Sequence, residues 1–164
     1  MTAYPSVWAG RTRGLDVEGR LESLAGLARE REPERREALL GALADSSWRV
    51  RKAAVEAILR LGSAPEVLSG LIECLAAPDN AGLRNAASET LVAFGDLAIS
   101  SGREALSSID PDLRLFCCNI LGQIGNPAAV PNLAELLADP DGNVRTAAIE
   151  NLGSFALPEA RDAL

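Results

Sequence analysis

The sequence contains no histidine and few aromatic residues. Three phenylalanines, two tryptophans and one tyrosine make up 4% of its 164 residues. Because histidine is the commonest general base and the commonest metal ligand, its absence argues against most hydrolytic and metal-dependent sites. We therefore expect no catalytic residue, no metal and no cofactor. Alanine and leucine dominate the apolar half of the chain, which favours closely packed helices over a sheet.

Cysteine content and apolar patterning argue against secreted and membrane proteins. The three cysteines, Cys74, Cys117 and Cys118, are odd in number and lack the C-x-x-C spacing of metal sites. Such cysteines predict a reducing, cytoplasmic setting. The chain has no run of eighteen apolar residues, so we expect no membrane span and no membrane partner. The first thirteen residues lack the apolar core of a secretory signal.

The chain has a formal net charge of −7, which argues against a nucleic-acid partner. Its charge is uneven: residues 1–62 hold 11 basic and 9 acidic side chains, whereas residues 63–164 hold 5 and 14. The acidic part favours a protein partner with a basic surface. Arginine and glutamate alternate between residues 29 and 37, as on a solvated helix surface or as a basic end that meets an acidic partner.

Four segments of the chain align on an arginine, with spacings of 33, 30 and 31 residues. The arginines are Arg51, Arg84, Arg114 and Arg145. Apolar or small residues stand three, seven and ten positions after each arginine, which marks one face of an α-helix. Glycine follows at position eleven in three of the four segments, where a helix C-terminus favours a residue that tolerates positive φ. Each segment therefore predicts one helix of a two-helix repeat.

The other helix of each repeat is marked by proline. Pro33, Pro65 and Pro127 precede their arginines by 18 or 19 residues, and Pro158 opens a further stretch. Proline is favoured in the first turn of a helix. An acidic residue lies in the turn before each arginine-bearing helix; these residues are Asp45, Asp79, Asp110 and Asp141. Asp110, followed by proline, has the pattern of an N-cap.

These features together resemble HEAT repeats, in particular the short bacterial variety known as phycobilisome-lyase-like repeats. The resemblance covers residues 32–164 and implies an all-α, right-handed α-solenoid of about four helical hairpins. It also implies that the repeated Asp and Arg side chains form a hydrogen-bonded ladder between neighbouring hairpins. That role falls on Asp45, Arg51, Asp79, Arg84, Asp110, Arg114, Asp141 and Arg145.

The chain is expected to consist of a short N-terminal segment, a capping helix and an array of helical repeats. Residues 1–14 are expected to be loosely ordered, with Tyr4 and Trp8 able to pack against the first hairpin. Residues 15–31 are expected to form one capping helix. The repeats are predicted at 32–62, 63–95, 96–125 and 126–156. Residues 157–164 begin another hairpin and then stop. They could cover the last repeat, continue in a longer protein, or dock on another copy to form a homo-oligomer.

A row of polar residues defines the candidate partner surface. Position five after each arginine lies off the apolar face and carries Glu56, Glu89, Asn119 and Glu150. It forms either a solvated face or the concave surface that solenoids present to partners. The neighbouring polar residues Lys52, Arg60, Asn85 and Gln123 complete the candidate partner-binding set.

Two further residue types allow alternative interpretations. Cys117 occupies a register position that holds alanine in the other repeats, so a buried apolar role is predicted, with a redox role for the cysteine pair as the alternative. Trp48 could be a plug between the capping helix and the first hairpin, or a contact residue for a partner.

Three functions follow from this sequence. The first is a non-enzymatic protein-interaction module or scaffold that binds a partner protein on the concave surface. The second, implied by the resemblance, is a chromophore lyase-like protein or enzyme subunit, although few aromatic residues are present to build a tetrapyrrole pocket. The third is nucleic-acid binding, which the acidic balance opposes.

Overall fold

The computed structural model describes residues 4–155, and all regular structure in this range is helical. The chain forms two compact units, Met1–Thr90 and Leu91–Leu164. Ten α-helices are described: α1 (Tyr4–Arg11), α2 (Val17–Gly26), α3 (Glu34–Ala42), α4 (Trp48–Leu61), α5 (Pro65–Leu75), α6 (Ala81–Phe94), α7 (Asp96–Ala105), α8 (Pro111–Ile124), α9 (Val130–Glu135) and α10 (Gly142–Ser154). Three short 3-10 helices lie at Leu27–Arg29, Pro127–Ala129 and Leu136–Ala138. The predicted all-α fold of repeated helical hairpins is confirmed.

The arginine-bearing helices begin at the same point of the repeat. Helices α4, α6, α8 and α10 each start three residues before their arginine. The residue before each start is a capping type: Ser47, Asn80, Asp110 and Asp141. The Asp110 carboxylate accepts from the N–H of Asp112 at 3.0 Å, and the Asp141 carboxylate accepts from the N–H of Asn143 at 2.8 Å. The turn acids Asp110 and Asp141 are therefore helix caps.

Helix α2 belongs to the same register, which the sequence analysis did not recognise. Arg20 precedes Arg51 by 31 residues and lies three residues after the start of α2. The preceding Asp16 caps α2 by accepting from the N–H of Gly19 at 2.8 Å. The predicted capping segment, 15–31, therefore contains the second helix of an additional repeat, followed by the 3-10 helix Leu27–Arg29.

The N-terminal segment is helical where loose order was expected. Helix α1 packs against α3, and the side chain of Trp8 is only 3% exposed. Close contact is possible because α3 carries Gly41, where an added Cβ would lie 2.2 Å from the carbonyl oxygen of Tyr4. The Trp8 indole donates a hydrogen bond to Asp45 Oδ2 at 2.7 Å. Trp8 therefore packs against the first hairpin, as the sequence suggested, and this contact orders a segment that was expected to be loose.

The apolar register of the repeats forms the core. Ala54, Ala87, Cys117 and Ala148, three positions after the arginines, are all fully buried. Ile58, Leu91, Leu121 and Leu152, seven positions after them, are buried as well. In the second unit, the side chains from α8, α9 and α10 form one cluster. Burial of small residues on one stripe lets neighbouring helices approach closely, as the pattern predicted.

The repeat glycines adopt the predicted backbone conformation. Gly62, Gly95 and Gly125 have φ of 106°, 59° and 68° and follow the last residues of α4, α6 and α8. The corresponding Ala156 and the predicted partial repeat at 157–164 lie outside the described residues. Within residues 4–155, each predicted repeat range contains two of the α-helices. No helix in this range is both long and apolar enough to cross a membrane.

Candidate functional site

The four repeat arginines hold the turns that precede their own helices. Arg51 Nη1 donates to the carbonyl oxygens of Asp45 and Ser46, and Arg145 Nη1 donates to those of Asp139 and Pro140, at 2.8–3.1 Å. Arg114 Nη1 donates to the Ser108 carbonyl at 2.8 Å. Arg84 reaches the carbonyls of Ala77 and Pro78 in the same way. The arginines thus satisfy backbone acceptors of the turn, a structural task.

Two acids, Asp45 and Asp139, each pair with a register arginine of the preceding hairpin. Arg114 Nε and Nη2 donate to the two carboxylate oxygens of Asp139, each at 2.8 Å. Arg20 Nε and Nη2 approach the two oxygens of Asp45 at 3.0 and 3.2 Å. Both acids stand six residues before a repeat arginine, whereas Pro78 and Ser108 hold that position in the other repeats. In the last repeat, Asp139 therefore makes the ladder contact that was predicted for Asp141. Asp79, which is exposed, does not occupy the equivalent position of its own repeat.

The hydrogen bonds of the buried pair in the second unit favour its ionised form. The side chains of Arg114 and Asp139 are 9% and 4% exposed. The hydrogen bond from Arg114 lowers the pKa of Asp139 more than burial raises it, and the same bond raises the pKa of Arg114. The Asp141 N–H also donates to Asp139 Oδ1 at 2.8 Å. Held by Arg114 and by the Asp141 N–H, this carboxylate stabilises the turn.

The three cysteines are unpaired and buried. Burial raises the pKa of Cys74 and Cys117 to about 12. It raises the pKa of Cys118 to about 11, even though the amide of Asn151 lies 3.8 Å from its sulfur and lowers that pKa. A neutral, buried thiol is a poor nucleophile. The prediction that Cys117 is a buried apolar residue is confirmed. Among residues 4–155, no three His, Cys, Asp or Glu side chains lie close enough to hold a metal ion.

Three of the predicted partner-binding residues meet in one groove of the first unit. The groove lies between the N-terminal halves of α4 and α6 and has a volume of about 260 Å³. We call it the Trp48 groove; it is lined by Trp48, Arg51, Lys52, Val55, Gly82, Asn85, Ala86 and Glu89. Val55 and Ala86 are buried and form its floor, whereas Lys52, Asn85 and Glu89 are exposed at its rim.

Trp48 itself is 65% exposed, so its interpretation as a plug is wrong. The buried tryptophan is Trp8, whose indole is anchored on Asp45. An exposed indole beside a groove is costly in water and is typical of a contact residue. The position of Trp48 in the sequence was a signal of its exposure. It lies three residues before Arg51 and is the first residue of α4, at the exposed end of the helix.

Glu56 and Arg60 lie one and two turns further along α4 than Lys52, next to a different groove. Their side chains form an exposed ion pair, with Arg60 Nη2 at 3.3 Å from Glu56 Oε2. Both line a second groove between α2 and α4. The predicted row is therefore split within the first unit: Lys52, Asn85 and Glu89 share one groove, and Glu56 and Arg60 another.

In the second unit the predicted polar residues have different environments. Asn119 accepts a hydrogen bond from Asn151 Nδ2 at 3.0 Å and is only partly exposed. Gln123 on α8 and Glu150 on α10 are exposed. Gly122 lies beside Asn151, where an added Cβ would overlap the amide oxygen at 1.8 Å. The asparagine pair thus ties α8 to α10, and Gln123 and Glu150 remain exposed to solvent.

Sequence comparison with known families matches residues 10–92 and 102–164 to HEAT repeats. Among curated proteins, none matches the chain. One similar solved structure is an engineered protein from a structural genomics consortium, with 19% identity and a TM-score of 0.42. The comparison covers 93% of this chain and 78% of the engineered protein. The two family matches span most of the sequence and include the register of Arg20, and the chain belongs to the HEAT-repeat family.

Proposed function

We propose that the chain is a non-enzymatic interaction module that binds a partner protein on its arginine-bearing helices. The observation that carries this proposal is the exposed indole of Trp48 beside a groove rimmed by Lys52, Asn85 and Glu89. Tryptophan residues in such positions dominate the binding energy of many interfaces. The groove has an apolar floor and a rim with both charge signs, which is the usual arrangement of a small protein interface.

The remaining features support binding without catalysis. The three thiols are neutral and buried, and the buried carboxylates of Asp45 and Asp139 are held by arginine. A reducing, cytoplasmic setting is part of the proposal, since the cysteines are unpaired. In the second unit, exposed Gln123 and Glu150 are proposed as further contact residues, and the acidic balance of residues 63–164 favours a partner with a basic surface.

The experiment compares baits that differ by one exposed apolar side chain. Wild type, Trp48→Ala and Leu97→Ala are immobilised, and the retained proteins are quantified by mass spectrometry. Leu97 is a matched control because it is 60% exposed but lies on α7, outside the arginine-bearing helices. Since hot-spot truncations cost about 2 kcal/mol or more, Trp48→Ala is expected to reduce retention of a specific partner at least about tenfold.

The control bait is expected to retain that partner as well as wild type does. Circular dichroism of both variants establishes that helicity is preserved. Equal retention by Trp48→Ala and wild type would contradict the assignment of the binding surface. A Glu56→Lys/Glu89→Lys/Glu150→Lys variant tests the charged positions, and we expect it to lose a partner with a basic surface.

A further inference from the structure

In the second unit, α8 holds the hairpin of α9 and α10 through three features. Arg114 Nε and Nη2 donate to the carboxylate of Asp139, and Asn151 Nδ2 donates to Asn119 Oδ1 at 3.0 Å. The third feature is Gly122, where an added Cβ would overlap the Asn151 amide. A helix of this array therefore receives the next hairpin with an arginine, an acceptor five residues later and a glycine eight residues after the arginine.

Helix α10 carries the same three features at Arg145, Glu150 and Gly153. All three residues are exposed, and in the described part of the chain no neighbouring atom lies within 4 Å of a Cβ added to Gly153. Arg145 Nη1 donates to the turn carbonyls of Asp139 and Pro140. Its Nε and Nη2 have no hydrogen-bond partner among the described residues. The part of this guanidinium that corresponds to the ion-pairing part of the α8 arginine is therefore available.

The apolar part of this side of α10 is exposed as well. Ile149, four residues after Arg145, is 51% exposed. Its equivalent on α8 is Cys118, which is 0% exposed and belongs to the core cluster that α8 forms with α10. Ile149 therefore lacks the helix that covers this register position on α8. We define the open face of α10 by Arg145, Ile149, Glu150 and Gly153.

We propose that the open face of α10 binds a helical hairpin of a partner protein, with the contacts that α8 makes to the α9–α10 hairpin. The partner's turn offers a carboxylate to Arg145, and its second helix offers an amide donor to Glu150 and an apolar side chain to Ile149. Charge complementarity identifies the turn, because Nε and Nη2 of an arginine together match the two oxygens of one carboxylate. Asp139 makes this contact with Arg114, each bond being 2.8 Å long.

The chain's own first hairpin, α1 and α2, does not offer the required carboxylate to a second copy. Gly14 stands six residues before Arg20, at the position that Asp139 holds in the last repeat. Asp16 in the same turn is the cap of α2. A partner protein is therefore the expected occupant, and not a second copy stacked head to tail. This site does not rest on the function proposed for the Trp48 groove.

The probe is a labelled synthetic peptide with the sequence of residues 126–155, the hairpin that α8 accepts. Fluorescence anisotropy measures its binding to the full chain and to Arg145→Glu. The matched control is Arg103→Glu, which makes the same charge change at an exposed residue of α7. A second peptide with Asp139→Arg is the charge-reversed probe. In Ile149→Cys, the added thiol reports on the open face, because the three thiols of the wild type are buried.

We expect Arg145→Glu to weaken binding of the first probe at least about tenfold, and Arg103→Glu to leave it unchanged. The Asp139→Arg probe should instead prefer the Arg145→Glu chain. Neither misfolding nor exchange of the probe onto Arg114 can produce that reversal. Bound probe should slow alkylation of Ile149→Cys in proportion to the fraction of chain that is bound.

Three results would overturn the proposal: no binding of the first probe, equal binding by Arg145→Glu and wild type, or unchanged alkylation of Ile149→Cys at saturating probe. Self-association of the wild type that Arg145→Glu abolishes would instead assign the open face to a second copy. Stronger probe binding after deletion of residues 156–164 would assign the face to the chain's own last residues.

Discussion

Both compact units hold a carboxylate six residues before a repeat arginine, but the two carboxylates have different neighbours. In the second unit, Asp139 accepts hydrogen bonds from Nε and Nη2 of one arginine, Arg114. In the first unit, Asp45 is shared between Arg20 and the indole of Trp8. In both units, the carboxylate at this position therefore joins two successive hairpins. In the first unit it also anchors the N-terminal helix α1.

The exposed surfaces of the two units differ as well. The first unit has 12 basic and 13 acidic residues, whereas the second has 4 and 10. Two grooves open on either side of α4 in the first unit, one with an exposed tryptophan and one with a mostly apolar lining. In the second unit, Asn119 and Asn151 bond to each other across α8 and α10. The two partly apolar grooves described above thus lie in the first unit, whereas the second unit has an excess of acidic residues.

The largest expected effect comes from removing one partner of the buried pair in the second unit. Asp139→Ala leaves Arg114 with a buried positive charge and should cost about 3–5 kcal/mol of the free energy of unfolding. Urea denaturation measures this loss. Glu56→Ala, which breaks the exposed pair with Arg60, is the control and should cost less than about 1 kcal/mol. A loss of similar size in both variants would contradict the structural role of the ladder.

A smaller effect is expected from the anchor of the first unit. Trp8→Phe keeps an aromatic ring against α3 but removes the indole N–H that donates to Asp45. Because the acceptor is a buried carboxylate that is also paired with Arg20, the lost bond should cost about 1.5–3 kcal/mol. Urea denaturation gives the free energy, and amide exchange in α1 should accelerate. Unchanged exchange in α1 would show that the indole contact does not anchor this helix.

The pH dependence of stability should reveal the pairing of Asp139. The pKa of this carboxyl lies below its ordinary value of 3.8 in the folded protein, because Arg114 donates to it. The folded state therefore binds fewer protons than the unfolded state near pH 4, so stability is present above that pH and is lost as pH falls through the lowered pKa. In Asp139→Asn this part of the acid transition should disappear. Denaturation between pH 2.5 and 6 measures it, and identical curves for the two proteins would contradict the expectation.

The smallest effect is expected from a substitution of Cys117, which stands where the other repeats carry alanine. Cys117→Ala restores the residue found at this position in the other repeats and should cost about 1 kcal/mol at neutral pH. The raised pKa of about 12 means that stability is lost as pH rises from about 9, where an exposed thiol ionises, towards 12. Denaturation at pH 7 and pH 10.5 should show a shallower alkaline loss for the variant. A steeper loss would contradict burial as the cause.

The periodic parts of the fold could be predicted because each register position has a single physical requirement. Ala54 and Ile58 lie where small and large apolar side chains must pack, so their types repeat. The repeat that contains α2 escaped recognition because Ser23 and Arg31 replace the usual small apolar residue and glycine. Its remaining signal was the spacing of Arg20 from Arg51.

The contacts of individual polar residues could not be predicted in the same way. Asp139 and Asp141 lie two residues apart in one turn, and composition alone does not say which carboxylate faces the preceding hairpin. The six-residue separation shared with Asp45 and Arg51 was the available signal. The division of the polar row between two grooves depends on which neighbouring helix packs beside each turn of α4, a matter of tertiary packing. The choice between the two interpretations of Trp48 likewise needed the structure, which leaves its side chain exposed.

Site-specific photo-crosslinking in cells tests the central claim most directly. A photoreactive amino acid replaces Asn85 on the rim of the Trp48 groove and, in a control protein, the exposed Glu66 on α5. If the groove is the contact surface, a covalent adduct with one partner protein forms at Asn85, disappears in a Trp48→Ala background and does not form at Glu66. Adducts of equal yield at both positions, or an Asn85 adduct unaffected by Trp48→Ala, would contradict the account.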